Sequence, residues 1–240
     1  MSKQPARYAI YFAPDPDSAL WRFGSAVLGY DGVTGEDVPD IVPEGFEIPD
    51  WRLLTADPRA YGFHATIKAP FRLAQDQTEE DLVGALQAFA DSRTPFVLPK
   101  LEVAIVGARE GEGAFVALVE PKPSPALAEL EAAALEAFEP FRAPLTDKEF
   151  ARRLPETLTT RQRDYLNRYG YPFVLEDFRF HLTLTGRVQE DEVEAVHASL
   201  EALYKQHVGN ESVRVDALAV YHQEKGAGRF RVLARAPFRG

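Results

Sequence analysis

Two short segments carry residue types and a spacing suited to moving protons: His64-Ala65-Thr66-Ile67 and His181-Leu182-Thr183-Leu184. In an extended strand, residues i and i+2 point to the same face. His64, Thr66 and Lys68 should then share one face, with Ala65, Ile67 and Ala69 opposite. Arg179, His181, Thr183 and Thr185 should share another, with Phe178, Phe180, Leu182 and Leu184 opposite. Imidazole has an ordinary pKa of about 6.5, so either protonation state is within reach near neutrality. A pair can divide the work, one ring taking a proton and the other giving one. Cleavage of a phosphodiester needs both acts, since the attacking hydroxyl loses a proton while the leaving oxygen gains one. Threonine hydroxyls can donate to the phosphoryl oxygens where charge builds up. This arrangement calls for neither a metal nor a cofactor.

The elements that must position these residues follow from the pattern. Arg7–Ala13 reads as a strand, and a helix capped by Asp17 follows through Leu28, closed by Gly29. Residues 30–50, rich in Gly, Pro and Asp, read as a long irregular loop whose role the sequence leaves open. A short helix is expected near Trp51–Ala56. Gly62–Leu73 is expected as a strand, and a capping box at Thr78 and Asp81 opens a helix with Leu82, Leu86 and Phe89 on its apolar side. Phe96–Val106 and Ala114–Val119 read as a hairpin around Gly107–Gly113. Ser124–Phe138 reads as a helix, residues 139–176 as mixed with a helix at Thr160–Tyr169, and Phe178–Gly186 as a strand. Asp191–Lys205 reads as a helix, and Arg214–His222 with Arg229–Ala236 as a second hairpin around Glu224–Gly228.

This order contains a repeat. Residues 64–121 run strand, helix, strand, glycine-rich turn, strand, and 181–237 do the same, each opening on His-x-Thr. The turns match in character, EGEGAFVALVEP against KGAGRFRVLARAP. Two lobes related by a pseudo-twofold axis are expected, forming one bilobal domain over 1–240 with 122–177 as the connecting segment. If the polar faces of the two sheets meet, they enclose one cleft holding both His-x-Thr pairs.

HATIKAPF and FRFHLTLTG resemble the paired motifs of the two-histidine (2H) phosphoesterase superfamily. The stretches RYAIYFAP at 7–14, LGYDGVTG at 28–35, PRAYGFHATIKAPFRL at 58–73 and RYGYPFVLEDFRFHLTLTG at 168–186 are similar to a bacterial branch associated with phosphonate-utilisation operons. The resemblance covers nearly the whole chain. It implies an α+β, bilobal fold with two antiparallel sheets facing a central cleft and helices outside. It assigns His64 and His181 as the acid/base pair and Thr66 and Thr183 as ligands of the phosphoryl oxygens. Which histidine is acid and which is base stays open.

Composition removes several other classes. The 240 residues include no cysteine, which excludes disulfide scaffolds, thiolate metal sites and cysteine nucleophiles. The net charge of −10 argues against long nucleic acid and anionic membranes, but not against a local basic pocket for one phosphate. The apolar run near the N-terminus stops at Pro14, too short for a signal peptide, and no run approaches the roughly 20 apolar residues of a membrane span. A soluble, cytoplasmic protein with no membrane partner is expected, its oligomeric state open.

Further residues carry two readings each. Lys68 and Arg179 either bind phosphate or stand as rim charges, and they are where a local positive field is expected. Tyr11, Tyr30 and Tyr221 either stack on a base or sugar or pack in the core. The arginines between 142 and 168 form a solvated surface or a positive rim that guides an anion. The Gly107–Gly113 loop lacks the strand–loop–helix context and the Lys-Ser/Thr ending of a phosphate loop. The expected activity is metal-independent hydrolysis of a small cyclic phosphate or phosphodiester, with phosphonate metabolism as its setting. The alternatives are an RNA-end 2′,3′-cyclic phosphodiesterase or ligase, and a non-catalytic binder of a nucleotide or phosphate ligand.

Overall fold

The computed structural model describes residues 5–109, 111–154, 157–224 and 228–240. The centre of the Glu224–Gly228 turn, Glu110 in the other hairpin and Pro155 therefore lie outside the described residues. The first strand, β1 (Arg7–Phe12), is followed by α1 (Ala19–Leu28), capped by the Ser18 hydroxyl and closed by Gly29 in the left-handed conformation. A two-stranded ribbon, β2 (Tyr30–Asp31) and β3 (Glu36–Asp37), precedes α2 (Ile48–Leu54) and α3 (Ala56–Arg59). The loop expected over 30–50 is thus partly ordered. The Asp31 carboxylate closes its turn by accepting the Val33 and Thr34 N–H groups, at 2.7 and 3.1 Å, and also accepts Trp21 Nε1–H at 3.1 Å.

The first repeat comprises β4 (Ala65–Phe71), α4 (Glu79–Asp91), β5 (Phe96–Leu98), β6 (Glu102–Arg109) and β7 (Gly113–Val119). The capping box at Thr78 and Asp81 is present. The connecting segment carries α5 (Pro125–Phe138), α6 (Asp147–Arg153) and α7 (Thr160–Tyr169). Of these, α6 was not foreseen within the mixed segment. It is short, and a capping box between Thr146 and Glu149 starts it. The second repeat comprises β8 (His181–Thr183), α8 (Val193–His207), β9 (Val213–Val215), β10 (Ala217–Gln223) and β11 (Arg231–Pro237). Order and type of elements agree between the repeats.

Antiparallel pairing joins the strands in the order β11-β10-β1-β4-β8-β7-β6, and β5 pairs separately with its repeat partner β9. The two antiparallel sheets thus appear as halves of one seven-stranded sheet, joined where Ala65 pairs with Leu182. The repeats are exchanged between the halves. Strand β4 of the first repeat lies with β10 and β11 of the second, through β1; strand β8 of the second lies with β7 and β6 of the first. The helices follow suit, α4 packing on β10 and β11, α8 on β6 and β7, and α5 on β4. One extensive buried cluster results, running from Ile10 and Phe12 through Leu86, Val116 and Leu182 to Val220.

Candidate active site

On β8 Leu182 is buried while Thr183 lines a cleft of about 620 Å³; just past the strand Leu184 and Thr185 are both buried, Thr185 bordering the cleft with its hydroxyl accepting the Val116 N–H at 2.9 Å. His181 starts this strand, opposite Val119 of β7, with its ring centroid 5.9 Å from that of Phe115, another lining residue. On the neighbouring strand β4, His64 and Thr66 line the same cleft. The sheet thereby places His64, Thr66 and Thr183 on the cleft and His181 beside the lining residue Phe115, all four partly buried.

The two imidazoles are held alike. His64 Nδ1 lies 2.9 Å from the carbonyl oxygen of Gly62, and His181 Nδ1 lies 2.8 Å from that of Arg179. A carbonyl can only accept, so each Nδ1–H donates and each Nε2 keeps its lone pair for chemistry. The Thr66 hydroxyl donates to His64 Nε2 at 3.2 Å. The anchor for His64 needs the chain to turn sharply. Gly62 does so at φ +75°, a conformation strained for residues with a Cβ, between the rings of Tyr30 and Tyr221.

Tyr11 explains the setting of His64. Its ring stacks on the imidazole at 3.6 Å between centroids and 17° between planes, and the tyrosine is only 1% exposed. Burial pushes the His64 pKa down to about 4, and positive charge on His181 pushes the same way against the Gly62 carbonyl. Burial also lowers the pKa of His181. In the absence of an anion both rings therefore favour the neutral form.

Lys68 does not line the cleft. A bulge in β4 is responsible: Ile10 pairs with Lys68 while the next residue, Tyr11, pairs with Thr66, leaving Ile67 as an extra residue. The alternation slips by one, so Ala69 and Pro70 reach the cleft. Lys68 is 2% exposed, and its Nζ donates to Glu139 at 2.6 Å beside α5. Arg179 is also displaced from the expected place. It precedes β8, is exposed, and donates to the carbonyls of Glu176 and Phe178. What it contributes is its own carbonyl, which anchors His181. Tyr30 and Tyr221 are core residues whose hydroxyls donate to the carbonyls of Phe230 and Phe63, at 2.9 and 3.4 Å.

The cations that do line the cleft are Arg7, Arg152, Arg153 and Arg187. Arg187 donates to the carbonyls of Gly107 and Gly113 and ties the β6–β7 hairpin to the wall. Arg152 and Arg153 belong to the arginine-rich stretch noted in the sequence and border the cleft. Others of that stretch serve elsewhere: Arg142 pairs with Glu139, Arg161 with Asp177, and Arg168 lies over the Tyr169 ring. Arg7 had a signal that went unread, since it stands four residues before Tyr11 and so on the same face of β1. Tyr61 and Tyr171 complete the aromatic part of the wall. No residue of 30–50 lines the cleft. Among the described residues, no group of three or more His, Asp and Glu is placed to share a metal ion, and no helix is long and apolar enough to cross a membrane.

A family model described as "Protein of unknown function (DUF1045)" matches residues 66–231. A protein of Janthinobacterium sp. (strain Marseille) named ribose 1,5-bisphosphate phosphokinase PhnN is 34% identical over 242 residues, covering 100% of this chain and 52% of that protein. A protein of the same name from Laribacter hongkongensis (strain HLHK9) is 32% identical, covering 94% of this chain and 50% of that protein. The chain thus spans about half the length of these curated relatives. Among solved structures, E. coli LigT complexed with 3′-AMP is similar at 14% identity and a TM-score of 0.46, covering 99% of this chain and 100% of that one. A structure described as a phosphoesterase is similar at 13% identity and a TM-score of 0.43, with the same coverage. In this chain the two His-x-Thr segments lie on adjacent antiparallel strands, joined where Ala65 pairs with Leu182.

Proposed function

This chain belongs to the DUF1045 family, and since that family is described by no activity, we propose one from the site itself: hydrolysis of a small cyclic phosphate by proton transfer between His64 and His181. The observation that carries this reading is the matched anchoring of the two rings, each Nδ1–H spent on the carbonyl two residues earlier, which makes Nε2 the acceptor atom of each neutral ring.

In the proposed reaction, Nε2 of one neutral imidazole takes a proton from water as the water oxygen attacks phosphorus. The ester bond to the leaving oxygen breaks, and the other ring, as imidazolium, gives its Nε2 proton to that oxygen. A phosphate monoester is the product. On substrate binding the Thr66 hydroxyl turns from His64 Nε2 to a non-bridging oxygen, freeing the Nε2 lone pair, and the Thr183 hydroxyl donates to the other. His64 is the base, because it is packed under Tyr11 and disfavours the imidazolium more strongly. His181 is the acid. The incoming anion favours the imidazolium it requires.

A ribose cyclic phosphate is the substrate we favour. The Janthinobacterium and Laribacter relatives, which carry a region like this one, are named for a kinase of ribose 1,5-bisphosphate. The sequence resemblance supports phosphonate utilisation as the setting. The test is turnover of ribose cyclic phosphates and 2′,3′-cyclic nucleotides with EDTA present, read by phosphorus NMR. His64→Ala and His181→Ala should each lose roughly 10²- to 10⁴-fold in kcat/KM. Cleavage of none of these compounds, or full activity in either variant, overturns the reading.

A further inference from the structure

We infer that the end of the cleft formed by Arg7, Arg152, Arg153 and Tyr171 is a second anion subsite, so that the substrate carries a phosphate monoester in addition to the reacting cyclic phosphate. This rests on the phosphoesterase reading above and narrows it to a substrate class.

The position of these residues sets them apart from the histidine end. Arg7 and Tyr11 share a face of β1, four residues apart, and Pro70 stands four residues beyond Thr66 on β4. At 3.3 Å per residue the β1 pair spans roughly 13 Å along its strand, and the β4 pair spans less, because two register shifts lie between Thr66 and Phe71. The long arginine arms shorten that gap to a distance one sugar unit with a phosphate at each end can bridge. Arg153 is fixed at the far end, its two Nη atoms donating to the carbonyls of Gly170 at 2.6 Å and Pro70 at 3.0 Å.

In a protein of net charge −10, Arg52, Arg72, Arg142, Arg161 and Arg235 each pair with a carboxylate. Among the described residues Arg7, Arg152 and Arg153 pair with none, and unlike the other arginines without a carboxylate they gather at one end of the cleft. Arg7 donates through Nε to the Gln223 amide and leaves its Nη groups uncommitted, and Arg152 makes no hydrogen bond or ion pair among the described residues. Burial and the charges of Arg152 and Arg7 all disfavour the cation on Arg153, and Glu149, the one carboxylate that offsets them, is spent on Arg72 and on Thr146. A place at the end of α6 would account for Arg152 alone, since cations suit a helix C-terminus. It does not account for Arg7 or for the burial of Arg153. Convergent guanidiniums with free donors suit a phosphate dianion, which they can grip in pairs of hydrogen bonds.

The test uses matched ribose cyclic phosphates with and without a phosphate on the C5 oxygen, with ribose 5-phosphate as a binding probe. Wild-type protein should prefer the phosphorylated substrate by at least about tenfold in kcat/KM, the worth of one good charge-assisted hydrogen bond. In Arg152→Ala and in Arg7→Ala that ratio should collapse toward unity. Calorimetric binding of ribose 5-phosphate should weaken in both variants by a similar factor. Equal kcat/KM for the two substrates in the wild type, or an unchanged ratio in both variants, overturns the subsite while leaving the phosphoesterase reading standing. If neither substrate turns over, the phosphoesterase reading fails. Calorimetry then decides the subsite: binding that Arg152→Ala and Arg7→Ala weaken supports it, and absent or unaffected binding overturns it.

Discussion

Tyr11 and His64 form the most informative contact in the molecule, because it converts a common side chain into a tuned one. A free imidazole titrates near 6.5, whereas His64 under its aromatic cover is pushed down to about 4. The unfolded chain therefore binds a proton before the native state does. His64 contributes stability that is complete above about pH 6.5 and is lost as the pH falls through that window toward about 4. Urea denaturation at several pH values should show this slope, and it should be shallower in His64→Gln. The same logic places the kcat/KM profile on the acid side, with its acid limb near 4 from His64 and its alkaline limb below 6.5 from His181. Tyr11→Ala removes the cover and should move the acid limb upward, while Tyr11→Phe should leave it in place. The four motif residues were legible because His-x-Thr fits a period of two. Tyr11 carried two readings, a ring for a base or sugar or a core residue, and it is buried; its stacking on His64 was not legible, since that partner comes from the neighbouring strand.

The bulge in β4 matters at the next scale. One extra residue, Ile67, turns Lys68 from the cleft to the helix side, where it meets Glu139 almost out of contact with water. Glu139 keeps Arg142 when Lys68 is removed, whereas loss of Glu139 leaves the buried ammonium without its partner. Glu139→Ala should therefore cost about 3 kcal/mol in chemical denaturation, and Lys68→Ala should leave KM unchanged in the folded protein, whereas loss of a phosphate ligand would raise KM. No sequence pattern announced the bulge, since a register slip is set by the partner strand. The approach of α1 to the site is similarly tight. A Cβ at Gly24 would stand 2.3 Å from the Phe63 ring, next to His64, so Gly24→Ala should destabilise by about 1–3 kcal/mol through overpacking. Helix boundaries with caps, such as Thr78 and Ser124, were readable; the ribbon within 30–50 was not, because its two-residue strands are too short to show a period.

For the whole molecule, the repeat in the sequence is real as an order of elements but does not yield two self-sufficient lobes. Each half of the sheet borrows strands and a covering helix from the other repeat. We therefore expect a single calorimetric unfolding transition, with calorimetric and van't Hoff enthalpies in agreement; two resolved transitions would show independent lobes. The charge pattern was legible only in outline. A local positive field was expected, yet it is built from Arg7, Arg152, Arg153 and Arg187, contributed by parts of the chain far apart in sequence.

The halves meet at a single residue pair, Ala65 with Leu182, and each of those residues directly follows a histidine. The joint thus doubles as a caliper. Any change in twist at that seam opens or closes the gap across which one ring hands its work to the other. The Ala65 methyl, completely buried in the core beneath that seam, is the packing on which the setting of the two motifs rests.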